Sequence, residues 1–276
     1  MTAAEIGDLA ATRRDADEWA TYDEFAAGID TYRLPQESLA GRRLSFELEG
    51  GGTITIDVLD DARVRWSASG SRTVDDVDDA ADPYDAIAVR PGVHFLNLPL
   101  ESRERTALTI VWSEHTRRAI VTHSRIGQEP REGEPQVTQE FVAAVLDGGE
   151  PTGAAPGESR DLIGMRNLYR YSPQHLYEHV YMSTERYAWQ NLQGVQRGHG
   201  DMDLSTVWKL DDGLYLFCFR EFRIPVASVW LHDLGYGLMT TGIFLGINGD
   251  GIAEHSRAGG HIYPLGSVRY PDVQPV

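Results

Sequence analysis

Residues suited to acid–base chemistry and to ring stacking lie close together in the second half of the chain. Residues 171–181 read YSPQHLYEHVY, and Tyr187 and Trp189 follow shortly after. Successive side chains of a β-strand point to opposite faces, so a strand here would present three residues on one face: Tyr177, His179 and Tyr181. Aromatic and hydrogen-bonding groups on one face are typical of a pocket for a small polar aromatic ligand. The alternative is an ordinary core in which the hydroxyl groups have protein partners.

A second face of this kind ends in a carboxylate. On a strand, four alternating residues would lie on one side: Tyr215, Phe217, Phe219 and Glu221. An acidic group among aromatic rings can have a raised pKa, which suits a general acid or base. The alternative places Glu221 at a barrel rim, in an ion pair with Arg220 or Arg223. Farther along, His232 shares a predicted strand face with Trp230 and is either a ligand contact or a structural hydrogen-bonding group.

The two faces predict a cofactor-independent enzyme that transfers protons on a small aromatic metabolite, as a lyase, decarboxylase, isomerase or hydratase would. Glu221 or His179 would move the proton, since burial can bring either pKa towards neutrality. Tyrosine hydroxyl groups would stabilise a developing oxyanion, and the candidates are Tyr181, Tyr187 and Tyr215.

The remaining candidate residues would bind the substrate. Trp189 would stack on its ring, and Arg220 or Arg223 would hold a carboxylate at the mouth of the barrel. Tyr177 and His232 would also contact the substrate. The alternative function is a non-catalytic binder or carrier of a small hydrophobic or aromatic metabolite, because no nucleophile–base pair is recognisable. Neither function requires a cofactor.

The same segment contains a pattern that resembles a zinc site. His175, Glu178 and His179 match the spacing of the inverted zinc proteases, which need a helix that presents both histidines one turn apart. The flanking tyrosines and valine favour a strand, on which the two histidines would be too far apart to share an ion. Cys218 is the only cysteine, which excludes a cysteine-rich metal site and an internal disulfide. We therefore expect no metal.

The charge balance bears on partners. The chain has 276 residues and a formal net charge of −17, which repels phosphate backbones and anionic lipid. We therefore expect neither nucleic acid nor membrane as a partner, while a homo-oligomer stays possible.

The first residues lack the pattern of a secretory signal, which favours the cytoplasm. The acidic run at residues 75–79 predicts a solvated loop.

The elements that would position these residues are mostly strands. An amphipathic stretch at residues 15–27 predicts a helix within an N-terminal segment, residues 1–35. Closely spaced alternating stretches then predict an antiparallel sheet, and residues 136–146 predict a second helix, followed by a linker. The expected fold is all-β with minor helices. It consists of two tandem antiparallel lipocalin-like barrels, at residues 36–135 and 159–276, joined by a helix and linker at residues 136–158.

A weak internal repeat supports two similar domains. Residues 90–96 can be aligned with residues 211–217, and Trp112 then falls near Trp230. A turn followed by similarly spaced strands in each half predicts a duplicated unit. Two closed barrels of about eight strands would leave no exposed sheet edges, and each barrel could hold one small ligand. In the first barrel, the analogous polar and aromatic residues are scattered and are expected to have core roles: Trp66, Tyr84, His94 and His123.

The sequence resembles the MoaF family over most of its length. The resemblance lies in residues 23–30 (DEFAAGID), residues 33–35 (RLP), residues 175–181 (HLYEHVY), Tyr187-x-Trp189, residues 214–217 (LYLF) and residues 240–242 (TTG). It implies two lipocalin-like domains and, through the family's association with aromatic-amine metabolism, an aromatic ligand. Related barrels include the phenolic acid decarboxylases, which use tyrosines, a glutamate and an arginine without a cofactor, so the resemblance at fold level also implies cofactor-free chemistry.

Overall fold

A computed structural model describes residues 19–276, and nearly all of its regular structure is β-strand. Within these residues the helix is a single short turn, α1 (Tyr22–Ala26). The first sheet contains β1 (Arg43–Leu48), β2 (Thr53–Val58), β3 (Arg63–Ser69), β4 (Val77–Pro83), β5 (Asp85–Arg90), β6 (Val93–Pro99), β7 (Thr106–Ser113), β8 (Arg118–Ile126) and β9 (Val137–Leu146). The second sheet contains β10 (Gly157–Glu158), β11 (Met165–Ser172), β12 (His175–Tyr181), β13 (Arg186–Gln193), β14 (Gly200–Asp211), β15 (Leu214–Arg220), β16 (Val226–Asp233), β17 (Met239–Ile247) and β18 (Ala253–Ser267).

The two sheets share one strand order. The first runs β4-β3-β2-β1-β9-β8-β7-β6-β5, and the second runs β14-β13-β12-β11-β18-β17-β16-β15, with β10 added beside β14. The long strand β14 pairs with β13 through its first half and with β15 through its second half. In the first sheet β4 pairs with β3, β5 pairs with β6, and Tyr84 alone separates β4 from β5. The pair β4–β5 therefore corresponds to β14, and the two domains are tandem copies of one barrel-like fold.

The same connection occurs in both copies. The β14–β15 pairing closes the second sheet into an eight-stranded barrel. In the first sheet, β4 pairs with β3 and β5 pairs with β6, with Tyr84 alone between them, and the sheet is curled. The prediction of an all-β chain with two tandem barrel-like domains is confirmed. Asp78 and Asp79 lie in edge strand β4 rather than in a loop, and Arg65 pairs with Asp79 across the β3–β4 ladder.

The interiors of the two domains differ in composition. Inward residues of the first sheet form a mainly aliphatic core, as in β1, where Leu44, Phe46 and Leu48 are buried at alternating positions. The second barrel is filled largely by aromatic rings, including Tyr169, Tyr187 and Phe217. The cavity between these rings lies in the second barrel.

Residues 136–146 do not form the predicted helix. They form β9, which pairs with β1 on one edge and with β8 on the other. Val142 and Leu146 face the first core, whereas Phe141 faces the second domain and stacks on Trp208 with ring centroids 6.0 Å apart. Because both faces of β9 contact protein, the strand has apolar residues on both sides, and these residues imitate a helical period. Of the helix predicted at residues 15–27, positions 15–18 lie outside the described residues, and the observed helix begins at Tyr22.

The two domains pack through the outer faces of their sheets. Ile87, Phe95 and Val111 of the first domain form one buried cluster with Leu216 and Leu231 of the second. Arg90 adds a polar contact to Asp211, at 3.4 Å. The outer face of β15 is therefore an interface, and only its inner face borders the second barrel's interior.

Within residues 19–276, no helix is long and apolar enough to cross a membrane.

Candidate functional site

A narrow cavity lies between the rings of the second barrel. Twelve residues line it: Phe25, Ile29, Tyr171, Tyr177, His179, Tyr187, Trp189, Gln196, Phe219, Glu221, Trp230 and Phe244. The cavity has a volume of only about 30 Å³. The cavity is therefore a set of gaps between rings, and a ligand with a ring requires some lining side chains to shift.

Alternation along the strands explains most of the lining. On β12, Tyr177 and His179 are buried and point inward, and β13 presents Tyr187 and Trp189 in the same way. Gly242 on β17 permits a close ring contact, since a Cβ atom there would lie 2.4 Å from the Trp230 ring. The small residue on β17 thus places the Trp230 ring against the barrel wall.

The segment around α1 covers one side of the cavity. Phe25 contacts Phe244 edge to face, with centroids 5.1 Å apart, and Ile29 also lines the cavity. Tyr22 lies against β17 at Gly246, where a Cβ atom would be 2.2 Å from the tyrosine ring, and its hydroxyl group donates to Oγ of Ser256 at 2.7 Å. A Thr21–Glu24 capping box supports this single helical turn. We call residues 19–33 the mouth segment.

Glu221 is an acidic group on the cavity wall, directly after β15. It has no hydrogen-bond or ion-pair partner among the described residues, and it lines the cavity. Burial raises its pKa well above the usual range, and the nearby charges of Asp203 and Asp201 raise it further. A carboxyl group with such a pKa retains its proton towards neutral pH, which is the property that a general acid requires.

Asp203 is the acidic neighbour of Glu221 and points inward from β14. Its Oδ2 accepts a hydrogen bond from Nε1 of Trp189 at 2.8 Å, and its Oδ1 accepts one from the backbone N–H of Phe222 at 3.4 Å. Burial raises the pKa of Asp203 to about 6, although the Trp189 hydrogen bond opposes this. Two neighbouring carboxyl groups ionise with difficulty at the same time, so the pair holds a proton at mildly acidic pH.

The first domain contains the counterpart of this arrangement without the second acid. Nε1 of Trp66 donates to Oδ2 of Asp82 at 2.8 Å, as Trp189 does to Asp203. The loop that follows β6 supplies Ser102, whose Oγ and N–H both donate to Asp82. In the second domain the corresponding loop follows β15 and carries Glu221. The tryptophan–aspartate pair therefore belongs to the common fold, whereas the carboxyl pair is specific to the second barrel.

Several hydrogen-bonding groups of the lining residues lack protein partners. The hydroxyl groups of Tyr171 and Tyr187 make no hydrogen bond among the described residues, and Nδ1 of His179 and Nε1 of Trp230 are buried without a partner. Tyr177 differs, because its hydroxyl group donates to Oε1 of Gln196 at 3.0 Å. Buried polar groups are nearly always satisfied, so these unpaired groups are candidate contacts for a ligand.

His179 is poorly suited to carrying a proton. Burial lowers its pKa to about 3, which makes the imidazole a weak base at neutral pH. A neutral imidazole can still donate or accept a hydrogen bond. Of the two residues predicted to move the proton, Glu221 therefore has the more suitable pKa.

A closed hydrogen-bonded network occupies the barrel beside the cavity. The hydroxyl groups of Tyr169 and Tyr181 are 2.6 Å apart, and Oη of Tyr181 is 3.0 Å from Nε2 of His232. Nδ1 of His232 is 2.8 Å from Oγ1 of Thr240. Neither Tyr181 nor His232 lines the cavity. Both predicted site residues are thus engaged with other protein groups, and their ring packing supports the lining residue His179.

The structure does not bring the other three predicted residues to the cavity. Tyr215 donates to Asp161 at 3.0 Å and is not among the lining residues. Arg220 lies on the outer face of β15. Arg223 pairs with Asp201 at 2.9 Å, and its guanidinium group lies 4.4 Å from the centroid of the Trp19 ring. Since the two arginines lie beyond the cavity wall, neither provides a cation within it.

The residues of the zinc-like pattern have other partners. Nδ1 of His175 is 2.7 Å from Oγ of Ser172 in the hairpin between β11 and β12. Glu178 pairs with Arg166 and accepts a hydrogen bond from Gln190. In residues 19–276, no three or more histidine, cysteine, aspartate or glutamate side chains are grouped so that they could hold a metal ion.

The sequence assigns no site role to seven of the lining residues: Phe25, Ile29, Tyr171, Gln196, Phe219, Trp230 and Phe244. Phe219 shares the predicted strand face of Glu221, and Phe25 lies on the predicted N-terminal helix. The internal repeat offers a way to predict the position of Asp203, because a tryptophan and an aspartate have similar spacing in the two halves: Trp66–Asp82 and Trp189–Asp203. No local pattern indicates that residues near the N-terminus cover the second barrel rather than the first.

The carboxyl pair makes stability depend on pH. An acid whose pKa is higher in the folded state stabilises the fold below the unfolded pKa, and this contribution is lost as pH rises through the folded pKa. For Asp203, the pKa rises from 3.8 to about 6. We expect the wild type to lose up to about 3 kcal/mol relative to Asp203→Asn between pH ~4 and pH ~7. Urea denaturation across this range measures the difference.

The control for this prediction is Asp30→Asn, which removes an exposed carboxylate with the same change in charge. Its unfolding free energy should follow the wild-type curve at every pH. Parallel curves for the wild type and Asp203→Asn would show that Asp203 ionises in the folded protein as it does in the unfolded chain, and the carboxyl-pair interpretation would then be wrong.

Comparison with known proteins agrees with the repeated fold. The family model described as "MoaF N-terminal domain" matches residues 17–128, and the model described as "MoaF C-terminal domain" matches residues 156–268. The chain belongs to the MoaF family. Protein MoaF of Klebsiella aerogenes is 32% identical over 240 residues, which cover 83% of this chain and 84% of that protein. The two matched ranges fall on the two barrel-like domains, one on each.

Solved structures add little to this MoaF-family assignment. A putative beta-lactamase from Burkholderia vietnamiensis aligns with a TM-score of 0.34 and 13% identity, over 40% of this chain and all of that one. A DNA polymerase III beta chain from Streptococcus pneumoniae aligns with a TM-score of 0.12 and 10% identity, over 90% of this chain and 64% of that one. Similarities this low carry no argument about fold or function.

Proposed function

We propose that the second barrel binds a small metabolite with an aromatic ring and that Glu221 transfers a proton to or from it. The observation that carries the proposal is the position of Glu221, on the wall of a ring-lined cavity, beside Asp203 and without a hydrogen-bond or ion-pair partner among residues 19–276. Glu221 is half-buried, so its carboxyl group is free to contact a ligand that enters the cavity.

The charges of the cavity lining favour a ligand whose part inside the barrel carries no negative charge. The twelve lining residues include an acid but neither lysine nor arginine. A substrate carboxylate would lose its hydration without gaining a cation, and it would lie close to Glu221. Among the reaction types that the sequence left open, proton transfer on a neutral substrate, as in an isomerase or hydratase, therefore fits better than decarboxylation.

Five further lining residues have roles in this proposal. The rings of Trp189 and Trp230 would pack on the substrate ring, since aromatic pairs are favourable in offset or edge-to-face contact. The hydroxyl groups of Tyr171 and Tyr187 would donate hydrogen bonds to a substrate oxygen on which charge develops. Neutral His179 would orient the substrate by a hydrogen bond. The chemistry would then need only side chains of this chain.

A ligand panel tests the proposal. Isothermal titration would compare neutral benzene derivatives that carry a hydroxyl or carbonyl group with benzoates of matched size. We expect the neutral compounds to bind more tightly, and proton NMR of the recovered ligand, which also detects an isomer of unchanged mass, should show a product. Tight binding with unchanged ligand would favour the carrier function instead. Equal or tighter binding of the benzoates would contradict the proposed character of the site.

A further inference from the structure

A groove on the outside of the second barrel lies along β14, between the ladder with β13 and the short ladder with β10. The ladder with β13 ends where Arg186 pairs with Leu204, and β10 begins opposite Trp208 and Lys209. The stretch between them, residues 205–207, lines a groove of about 650 Å³. This volume lies within the range of small-molecule sites. The groove shares no lining residue with the ring-lined cavity.

Arg220 lines this groove and is held in one orientation. Its Nη1 donates to Oε1 of Gln139 at 3.3 Å, and its Nη2 donates to Oγ1 of Thr206 at 3.2 Å. Gln139 is fixed in turn, because its Nε2 donates to Oγ of Ser124 and to the backbone oxygen of Ser228. A guanidinium group has five N–H donors, so donors remain for a further acceptor. The group is therefore pre-organised by neutral partners from both domains.

Arg220 belongs to a group of half-buried arginines that make no ion pair among the described residues. Arg117 and Arg118 also belong to it, and their guanidinium groups donate to backbone oxygens. Other half-buried arginines have acidic partners. Arg33 pairs with Asp85, and Arg90 lies near the carboxylates of Asp211 and Asp233. Arg220 makes no ion pair among the described residues. Burial lowers its pKa, and the charge of Glu185, which forms no ion pair with Arg220, offsets this only in part. A half-buried cation without a paired counter-ion is costly, and an anion from solution would reduce that cost.

Other groups in the groove could complete an anion site. Its lining includes four residues with hydroxyl groups and a second arginine: Ser159, Thr184, Ser205, Thr206 and Arg160. Glu158 and Glu185 also line the groove, but both are exposed and can turn into water. Arg220 is held in place by its two hydrogen bonds. An anion is therefore favoured at the Arg220 side of the groove.

We propose that this groove binds the oxyanion of a small metabolite, a phosphate or carboxylate group, with Arg220 as its main contact. The planar guanidinium group suits both oxyanions because it can donate two parallel hydrogen bonds. The site would act separately from the cavity of the second barrel, so its failure would leave the proposed function of Glu221 untouched.

Thermal unfolding with inorganic phosphate or acetate tests the site and distinguishes the two oxyanions. We expect one of them to raise the Tm of the wild type saturably, by about 3–5 °C at ten times its Kd. Sodium chloride at matched ionic strength should give a smaller, non-saturating change, because it only screens the net charge. Arg220→Gln should abolish the saturable rise, and Arg220→Lys should weaken it, since an ammonium group lacks the planar fork.

Two further variants keep the result interpretable. Thr206→Val leaves the arginine in place but removes one hydroxyl partner, and it should weaken the anion effect even if Arg220→Gln folds poorly. Arg269→Gln removes an exposed arginine near the C-terminus and should behave as the wild type does. An unchanged saturable rise in Arg220→Gln, or an equal rise with chloride in the wild type, would overturn the proposal.

Discussion

Replacing Glu221 with glutamine should lower turnover of the substrate by about 10²–10⁴-fold, the usual contribution of a general acid or base. Glutamine keeps the length of the side chain but has no titratable proton, so the chemistry should fail while the cavity keeps its shape. Ligand affinity should therefore change much less than kcat. The measurement is steady-state kinetics with the compound identified from the panel, together with its Kd by titration.

A companion measurement does not depend on knowing the substrate. The infrared carbonyl stretch of a protonated carboxyl group should appear in the wild type near neutral pH and should be lost in Glu221→Gln. Burial and the acids Asp203 and Asp201 raise the pKa of Glu221, which is why we expect the proton to be retained. The signal should disappear as pH rises and the carboxyl group ionises.

Two controls separate Glu221 from other acids and from His179. Glu185→Gln alters an exposed glutamate outside the cavity and should leave turnover unchanged. His179→Gln should cost less than Glu221→Gln, because the pKa of His179 is lowered to about 3. Wild-type turnover in Glu221→Gln with a large loss in His179→Gln would instead make His179 the proton carrier.

Replacing Phe25 with alanine should both destabilise the protein and open its cavity. Phe25 is 4% exposed and packs against Phe244 and Tyr22, with ring centroids 5.1 and 5.4 Å away. Truncating a buried phenylalanine typically costs about 3–5 kcal/mol, and urea denaturation measures that loss. Because Phe25 also lines the cavity, the enlarged space should release ligand faster and accept larger rings, which stopped-flow dissociation kinetics would show.

The matched control is Phe222→Ala, which truncates a phenylalanine that is 36% exposed and outside the cavity lining. It should cost much less stability and leave ligand dissociation unchanged. A Phe25→Ala variant that kept wild-type stability and dissociation rate would show that the mouth segment, residues 19–33, does not control access to the barrel.

The sequence by itself determined the architecture to a large extent. Alternating apolar residues, as at Leu44, Phe46 and Leu48, depend only on the two-residue period of a strand, and the structure has strand β1 there. Short spacings left no room for crossover helices, and every ladder between neighbouring strands is antiparallel. The same period correctly placed Tyr177, His179, Tyr187 and Trp189 on the inner face of the second barrel.

Only the tertiary structure decided where two-sided burial and distant contacts occur. Strand β9 resembled a helix because it is covered on both faces, and Arg220 lies outside the cavity because its face of β15 forms the domain interface. The pairing of Glu221 with Asp203 joins a loop to a different strand. Phe25 lies more than a hundred residues before the strands of the second barrel that it covers. Local periodicity has no information about such contacts, since chain closure in three dimensions selects them.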